Sequence, residues 1–589
     1  MQKNKDEKEV KEKKNETIDF IKPMKNKNKK TDSKITKFVT SKDQKTYAKN
    51  NGFDYHDGDT RIIINSNELT DEILNKINII ATIEVVKNNQ LQISIPVDDI
   101  SKLELISEIK NIKSTLPPIQ NRDIIVDGKV IEDSVFSKKY TSETPVSVAI
   151  IDLAFDENNE KITGNVIENI SFRHIFENSN PEQIENFEYL HGTAMAQIIT
   201  SMLPDVKLHL LSAGTELEFI DAMDYAISKE VDIITISYTW INYDTDGTSA
   251  ITKKVEDAIK SEITVVIPSG NYAENYWEGT FNDTDGDKWH EFENLDEGMT
   301  ISVDEKRIEE ERPILVYLKW KCTTGFTVDF DLTLMNSENE IVDFSSSKQD
   351  NCSDEQIEYL YHYPEVPGEY YMGISNFGFK HGYADLEIIS VYDKLEYTQS
   401  QGSVGVPTDA RGAVVAGSLG IDGEVQPYSS SGPTNNGQKV PNIFTNDGFR
   451  TDVYDWEPFH GTSASAAYVS GLIAILYSEV DNVNPMTVTD LLYDNLFASH
   501  PIEGPDIQIT GNAGKISKQS VASDWYLSLN EESAGRFPIQ FTSNDKNNYK
   551  LISCENDMVI IQNTVTKDLM CVTKDTAESM IKRNWIVKN

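Results

Sequence analysis

Four residues of this 589-residue chain have the types needed to break an acyl bond, and each stands among small or apolar neighbours. Asp152 ends the run Val146-Ser147-Val148-Ala149-Ile150-Ile151. His191 opens His191-Gly192-Thr193-Ala194-Met195-Ala196. Asn271 closes Val265-Val266-Ile267-Pro268-Ser269-Gly270, and Ser463 follows Gly461-Thr462. From Ser463 the chain runs through small and apolar residues, with no charge before Glu479. A helix over this stretch buries every face. A serine at its start lies among backbone N–H groups that have no intrahelical partner, where the helix dipole favours negative charge. Such a place suits a nucleophile whose substrate develops an oxyanion; it equally suits an N-cap serine of an ordinary core helix. A carboxylate, an imidazole and a hydroxyl together can relay one proton, and the asparagine amide can stabilise the anion.

The order Asp152, His191, Ser463 is that of subtilisin among the known serine-triad orders. With His191-Gly192-Thr193, Ser269-Gly270-Asn271 and Gly461-Thr462-Ser463, the sequence resembles the subtilisin-like serine protease (subtilase) family, and in particular members with an inserted β-sandwich. The resemblance implies a serine endopeptidase acting on proteins or peptides. Ser463 would be its nucleophile, His191 its base, Asp152 the orienting carboxylate and Asn271 the oxyanion donor. No cofactor would be required for the chemistry. The substrate-binding residues implied are Ser212, Ala213 and Gly214 on one strand end and Ser237, Tyr238 and Thr239 on another. Several positions depart from the family pattern. Leu153 and Ala154 follow the aspartate, Asn442 follows Pro441, Ala467 stands where a proline is usual, and Thr239 stands where a glycine is usual. Thr239 would narrow the cleft and restrict substrate choice. The departures also leave room for a rival, a catalytically silent binding protein that keeps the fold and works through its sandwich.

The elements needed to hold these residues are legible in the hydrophobic pattern. Strands over 206–211, 233–237 and 264–267 alternate with helices over 219–229 and 251–261, which indicates an α/β, doubly wound parallel sheet. In such sheets ligands gather beyond the carboxyl ends of the strands. Asp152, Ser212, Ser237 and Asn271 all fall there. From 277 to 397 the period changes to two, as over 314–320, 326–332, 368–374 and 384–391, and predicts an inserted antiparallel β-sandwich. The catalytic domain thus divides into 140–275 and 401–520, and 524–589 reads as a small β-rich tail.

Residues 60–120 predict a ferredoxin-like α+β unit: strand 61–65, helix from Thr70, hairpin strands 80–86 and 91–95, helix 100–109 and strand 112–116. Subtilase propeptides have this shape, so the resemblance implies that the chain's own N-terminal domain is an inhibitor. The helix-averse Pro117-Pro118-Ile119-Gln120-Asn121-Arg122 that follows suits a strand lying in a protease cleft. Autocleavage is then expected between Leu116 and Thr144. Residues 1–55 are rich in Lys, Asn, Glu and Asp and read as a disordered charged segment.

A net charge of −41 and a pI near 4.6 disfavour nucleic acid and anionic membrane as partners, and no apolar run reaches transmembrane length. No secretory signal pattern follows Met1, which points to the cytoplasm over the alternative of secretion. Cys322, Cys352, Cys554 and Cys571 fit two disulfides or four thiols equally. Asp283-Thr284-Asp285-Gly286-Asp287 alternates carboxylates around a turn glycine, a calcium-loop-like pattern.

Overall fold

The computed structural model describes residues 30–115, 118–120, 145–174, 188–293, 295–321, 328–349, 356–376, 384–420, 424–454, 458–479 and 485–488, with strand segments at 507–510, 516–517, 540–541, 558–563, 569–573 and 585–588. Its centre is a nine-stranded sheet. From one edge the order is Val166–Ser171, Lys207–Ser212, Ser147–Asp152, Ile233–Ile236, Thr264–Pro268, Val414–Leu419 and Ile443–Asn446. These seven strands are parallel. Ile507–Thr510 and Ile516–Ser517 extend the sheet antiparallel.

Alternation along the strands sends side chains to both faces. Val148 and Ile150 face a core shared with the helices Glu188–Met202 and Thr462–Glu479, while Ala149 and Ile151 face a core shared with Glu216–Ser228 and Ala250–Lys260. This explains the compositions of the helices. Thr462–Glu479 is wrapped by sheet and helix, so Ala464, Ala467, Val469, Leu472 and Ile473 are all fully buried. Ala250–Lys260 has one apolar stripe, Ile251, Val255, Ala258 and Ile259, and a charged outer face. The strand Val166–Ser171 was not expected from sequence, because it is an edge strand with only partly buried or exposed side chains.

Between Asn271 and Ser463 two four-stranded antiparallel sheets face each other across one apolar core. One carries Tyr276–Thr280, Asp385–Ser390, Ile314–Trp320 and Ile357–His362; the other carries Met299–Val303, Gly368–Asn376, Phe330–Met335 and Ile341–Ser345. Val316, Leu318 and Ile388 from the first meet Ile301, Leu332 and Ile374 from the second. Gln540–Phe541, Met558–Asn563, Leu569–Thr573 and Trp585–Lys588 form a further antiparallel sheet. Cys322, Cys352 and Cys554 lie outside the described residues. Among the described residues no helix is long and apolar enough to cross a membrane.

In the N-terminal unit, Asp59–Ser66 pairs with Ile109–Ser114 on one side and Gln90–Pro96 on the other, and Thr82–Lys87 pairs with Gln90–Pro96. Counting those four strands along the chain, the order across the sheet is fourth, first, third, second, fully antiparallel. Two expectations are corrected. The helix expected over 100–109 is only the turn Ile100–Leu103, and the strand begins at Ile109, because Ile109 and Ile112 are buried by pairing against Asp59–Ser66. The charged segment expected to be disordered through 55 contains the helices Ser33–Thr40 and Asn51-terminated Gln44–Asn51, capped by Asp32 and Asp43. Its few apolar residues are placed well: Ile35, Phe38, Ala48 and Phe53 join the core of the unit. Composition alone misses this, because a handful of side chains on one face is enough when a preformed sheet receives them.

The N-terminal unit touches both larger parts. Lys87 pairs with Asp221 and Asp224, and the Gln92 amide donates to Glu218 Oε1 at 3.0 Å while accepting from Thr215 Oγ1 at 2.6 Å. On the sandwich side, buried Lys34 pairs with Asp343 at 2.7 Å.

Candidate active site

Asp152 and His191 are fully buried and joined, His191 Nδ1 lying 2.7 Å from Asp152 Oδ2. The other carboxylate oxygen accepts from the backbone N–H of Leu153 and from Gln120 Nε2, both at 2.6 Å. Asp152 ends its strand, so its side chain emerges at the carboxyl edge of the sheet. His191 lies in the first turn of Glu188–Met202. Gly192 allows that helix to approach the chain after Asp152: a Cβ there would come within 2.6 Å of Ala154 O and the Phe155 ring. Thr193 Oγ1 accepts from the backbone N–H of Asp156 and fixes the same loop. The Phe459 ring stands edge-on to His191, with centroids 5.3 Å apart.

Ser463 is the second residue of its helix and is fully buried. The turn before it depends on Gly461, whose φ of +109° disfavours any side chain. The Gly461 N–H donates to Asp447 Oδ2 at 2.8 Å, and the Tyr428 hydroxyl bonds the same oxygen. Asn271 Oδ1 accepts from the backbone N–H and the hydroxyl of Thr462 at 3.1 and 3.0 Å. In turn the Gly270 N–H donates to Thr462 Oγ1 at 3.1 Å. The strand end at 269–271 and the helix start at 461–463 are therefore clamped together. Asn271 Nδ2 is buried with no partner, as is His191 Nε2. Ser463 Oγ does not bond His191; it donates to the backbone carbonyl of Ser237 at 2.8 Å.

The substrate-strand residues expected from sequence separate into two groups. Tyr238–Thr239 pairs antiparallel with Ile119–Gln120, Tyr238 opposite Gln120 and Thr239 opposite Ile119. All three residues of Ser237-Tyr238-Thr239 are fully buried, and burial pushes the Tyr238 hydroxyl well above the ordinary tyrosine range. Ser212 ends the strand Lys207–Ser212, on the far side of Ser147–Asp152 from Ile233–Ile236, and Ala213 and Gly214 follow it. The Ala213 N–H donates to Asp152 O, Ala213 O accepts from the Tyr238 hydroxyl, and the Gly214 N–H donates to Glu218 Oε2. Among the described residues they form no ladder with Ile119–Gln120. Asp283, Asp285 and Asp287 bring one carboxylate oxygen each within 4.8 Å of one another, in the sandwich loop after Tyr276–Thr280. That donor set of hard oxygens suits calcium by chemical type.

Two contributors escaped the sequence. Gln120 reaches Asp152 across a sequence gap that no local spacing signals, although its extended proline-flanked context marks the segment. Asp447 carries no motif at all; only the folded turn brings it to Gly461.

A family model described as the subtilase family matches residues 143–359 and 393–520, more than half of the chain. Three solved structures similar to it are proteases. The Clostridium perfringens CspB protease shares 13% identity, covering 61% of this chain and 91% of its own, with a TM-score of 0.42. The epidermin leader peptide processing serine protease EpiP of Staphylococcus aureus shares 13% identity, covering 74% and 91%, with a TM-score of 0.39. A cold adapted subtilisin-like serine proteinase shares 13% identity, covering 68% and 95%, with a TM-score of 0.32. No curated protein matches the chain.

Proposed function

Because the chain belongs to the subtilase family of serine peptidases, we propose that it is an endopeptidase that cuts peptide bonds through an acyl-enzyme on Ser463. The observation that carries this is the buried Asp152–His191 bond, with Nε2 unpartnered, together with a serine at a clamped helix start whose helix shares a core with that of His191. Asp152 holds the proton on Nδ1, which leaves a lone pair on Nε2. Ser463 gives its proton to that lone pair as it attacks the scissile carbonyl. The imidazolium, stabilised by Asp152, returns the proton to the leaving amine; water then repeats the sequence on the acyl-enzyme. The Asn271 amide and the Ser463 backbone N–H stabilise the oxyanion.

The Ser463 hydroxyl rests on Ser237 O, one residue before the strand Tyr238–Thr239 that pairs with Ile119–Gln120. A peptide extending along that strand presents a backbone N–H to the same carbonyl. Taking it would free the hydroxyl to turn about χ1 towards His191. Thr239 in place of glycine supports restricted substrate choice. The pairing of Ile119–Gln120 with Tyr238–Thr239 supports the N-terminal domain as the chain's own inhibitor, its tail lying along the substrate strand.

The deciding experiment is a fluorophosphonate probe on wild type and Ser463→Ala, with intact-mass measurement of both. Labelling of wild type alone at Ser463 supports the peptidase; no labelling of any form supports the silent rival. Cleavage between Leu116 and Thr144 in wild type but not in Ser463→Ala is expected. If both stay full length while wild type hydrolyses peptides, the N-terminal domain is a permanent accessory. The Asp283–Asp287 loop is read, on its sequence pattern, as a calcium loop outside the chemistry; absence of calcium binding heat in calorimetry would end that assignment.

A further inference from the structure

The inserted sandwich is more than a neighbour of the site. A cluster of buried side chains spans the junction between the two parts: Ile241 and Tyr272 from the catalytic part, Leu315, Tyr317, Tyr359 and Ile389 from the outer face of the sandwich. Tyr317 and Tyr359 stack with ring centroids 6.0 Å apart, and Tyr272 places its hydroxyl 3.4 Å from Thr239 Oγ1. Ile119 packs against this cluster while its backbone pairs with Thr239. Its neighbour Gln120 sends its side chain the other way, to Asp152, as alternation along a strand requires.

From this we infer that the sandwich face around Tyr317 and Tyr359 forms one wall of an apolar substrate subsite, taking an aliphatic side chain at the place Ile119 occupies. The inference presupposes the peptidase chemistry proposed above. Position follows from register. A peptide in the ladder of Ile119–Gln120 that continues by one residue brings that residue opposite Ser237, whose carbonyl lies 2.8 Å from Ser463 Oγ. That residue supplies the scissile carbonyl. The aliphatic side chain therefore belongs to the residue two places before it, and the side chain between them points at the Asp152–His191 pair. The chemistry of the wall sets the preference. Tyrosine rings and aliphatic chains reward apolar contact, and a carboxylate placed among buried rings loses its hydration, while the nearby Lys34 ammonium, 5.2 Å from the Tyr359 ring centroid, is already paired with Asp343.

The test uses the full chain carrying Ile119→Asp, which weakens the hold of the chain's own segment, beside wild type. Fluorophosphonate labelling of Ser463 is expected to be faster in the variant. Peptides identical except for Ile, Gly or Asp at the inferred position are then compared by kcat/KM, normalised to labelled sites. Ile119 is only partly buried against the cluster, so a preference for Ile over Gly of about 3- to 30-fold is expected, below the range for full burial of an aliphatic side chain. Asp should be poorer still. Tyr317→Ala in the same background should shrink the Ile-to-Gly ratio towards one. If Tyr317→Ala does not label, the peptide comparison in the parent decides alone. Equal rates for all three peptides would overturn the subsite and leave the peptidase standing. Absence of both labelling and hydrolysis in every form would overturn the peptidase and the subsite with it.

Discussion

Replacing Asp152 by asparagine turns one acceptor oxygen into a donor and changes little else, and the surrounding donors dictate how the amide must lie. Oδ1 receives the Leu153 N–H and Gln120 Nε2, both at 2.6 Å, and Oδ2 faces His191 Nδ1 at 2.7 Å. The amide has one acceptor oxygen. Gln120 can turn its own amide, but the Leu153 N–H cannot turn, so the oxygen stays on the Oδ1 side. The NH2 group then points at His191 Nδ1, which must accept. The imidazole proton moves to Nε2, and no lone pair remains there to take the Ser463 proton. The wrong tautomer costs on the order of 10⁴ in kcat, or about 5.4 kcal/mol of barrier. Presenting the oxygen to His191 instead would set the amide NH2 against the Leu153 N–H, forfeit that hydrogen bond and leave a buried donor unsatisfied, at about 1–3 kcal/mol. The assay is kcat on a peptide substrate together with the rate of fluorophosphonate labelling, on protein whose circular dichroism matches wild type. Both rates should fall together. An Asp152→Asn variant within about tenfold of wild type in both would refute the assignment of Asp152 as the group that sets the tautomer.

Asn271→Ala should lower kcat about 10²- to 10³-fold, the loss measured for the corresponding asparagine in subtilisin, a member of the same family. It should also cost about 1–3 kcal/mol of stability, because the backbone N–H and hydroxyl of Thr462 both lose their acceptor; unchanged melting would argue that the clamp at 461–463 is held elsewhere. Lys34→Met should leave Asp343 without its cation and loosen Ser33–Asn51 from the sandwich, costing up to about 3–5 kcal/mol, less whatever the 11% exposure of Asp343 returns. Hydrogen exchange over 33–51 reads this directly, and protection equal to wild type would count against the contact. The last expectation concerns acid. Burial among Trp277, Phe281 and Phe292 pushes the His290 imidazole down to about 4. The unfolded chain takes up this proton below the ordinary value of about 6.5 and the folded chain resists it until about 4, so stability is fully present above that window and is lost as pH falls through it, by at most about 1.4 kcal/mol per pH unit. His290→Phe loses the bond from the Asn282 N–H at every pH but not this acid-side loss. The melting gap between wild type and variant should therefore narrow from pH 7 to pH 5, and a constant gap would contradict the burial argument.

What the sequence by itself determined was local and periodic. The runs ending at Asp152 and Asn271 declare strands, because β-branched side chains buried on both faces leave few alternatives. The uncharged stretch after Ser463 declares a helix enclosed on all sides. The motifs at 191–193, 269–271 and 461–463 mark where helix, strand and loop crowd together, because small residues and glycines are needed there. The change from alternating helices and strands to a period of two announced the inserted sheets. Long-range placement was decided only in three dimensions. The helices Ser33–Thr40 and Gln44–Asn51 exist because a sheet built from distant residues receives Ile35 and Phe38. The strand starting at Ile109 overrode a helical pattern, since pairing with Asp59–Ser66 buries what a helix would have left half exposed. The resting direction of the Ser463 hydroxyl, the reach of Gln120 to Asp152 and the hold of Asp447 on Gly461 each join residues far apart in the chain. Hydrogen bonds of that kind depend on distances and angles that only packing sets, and no spacing along the chain encodes them.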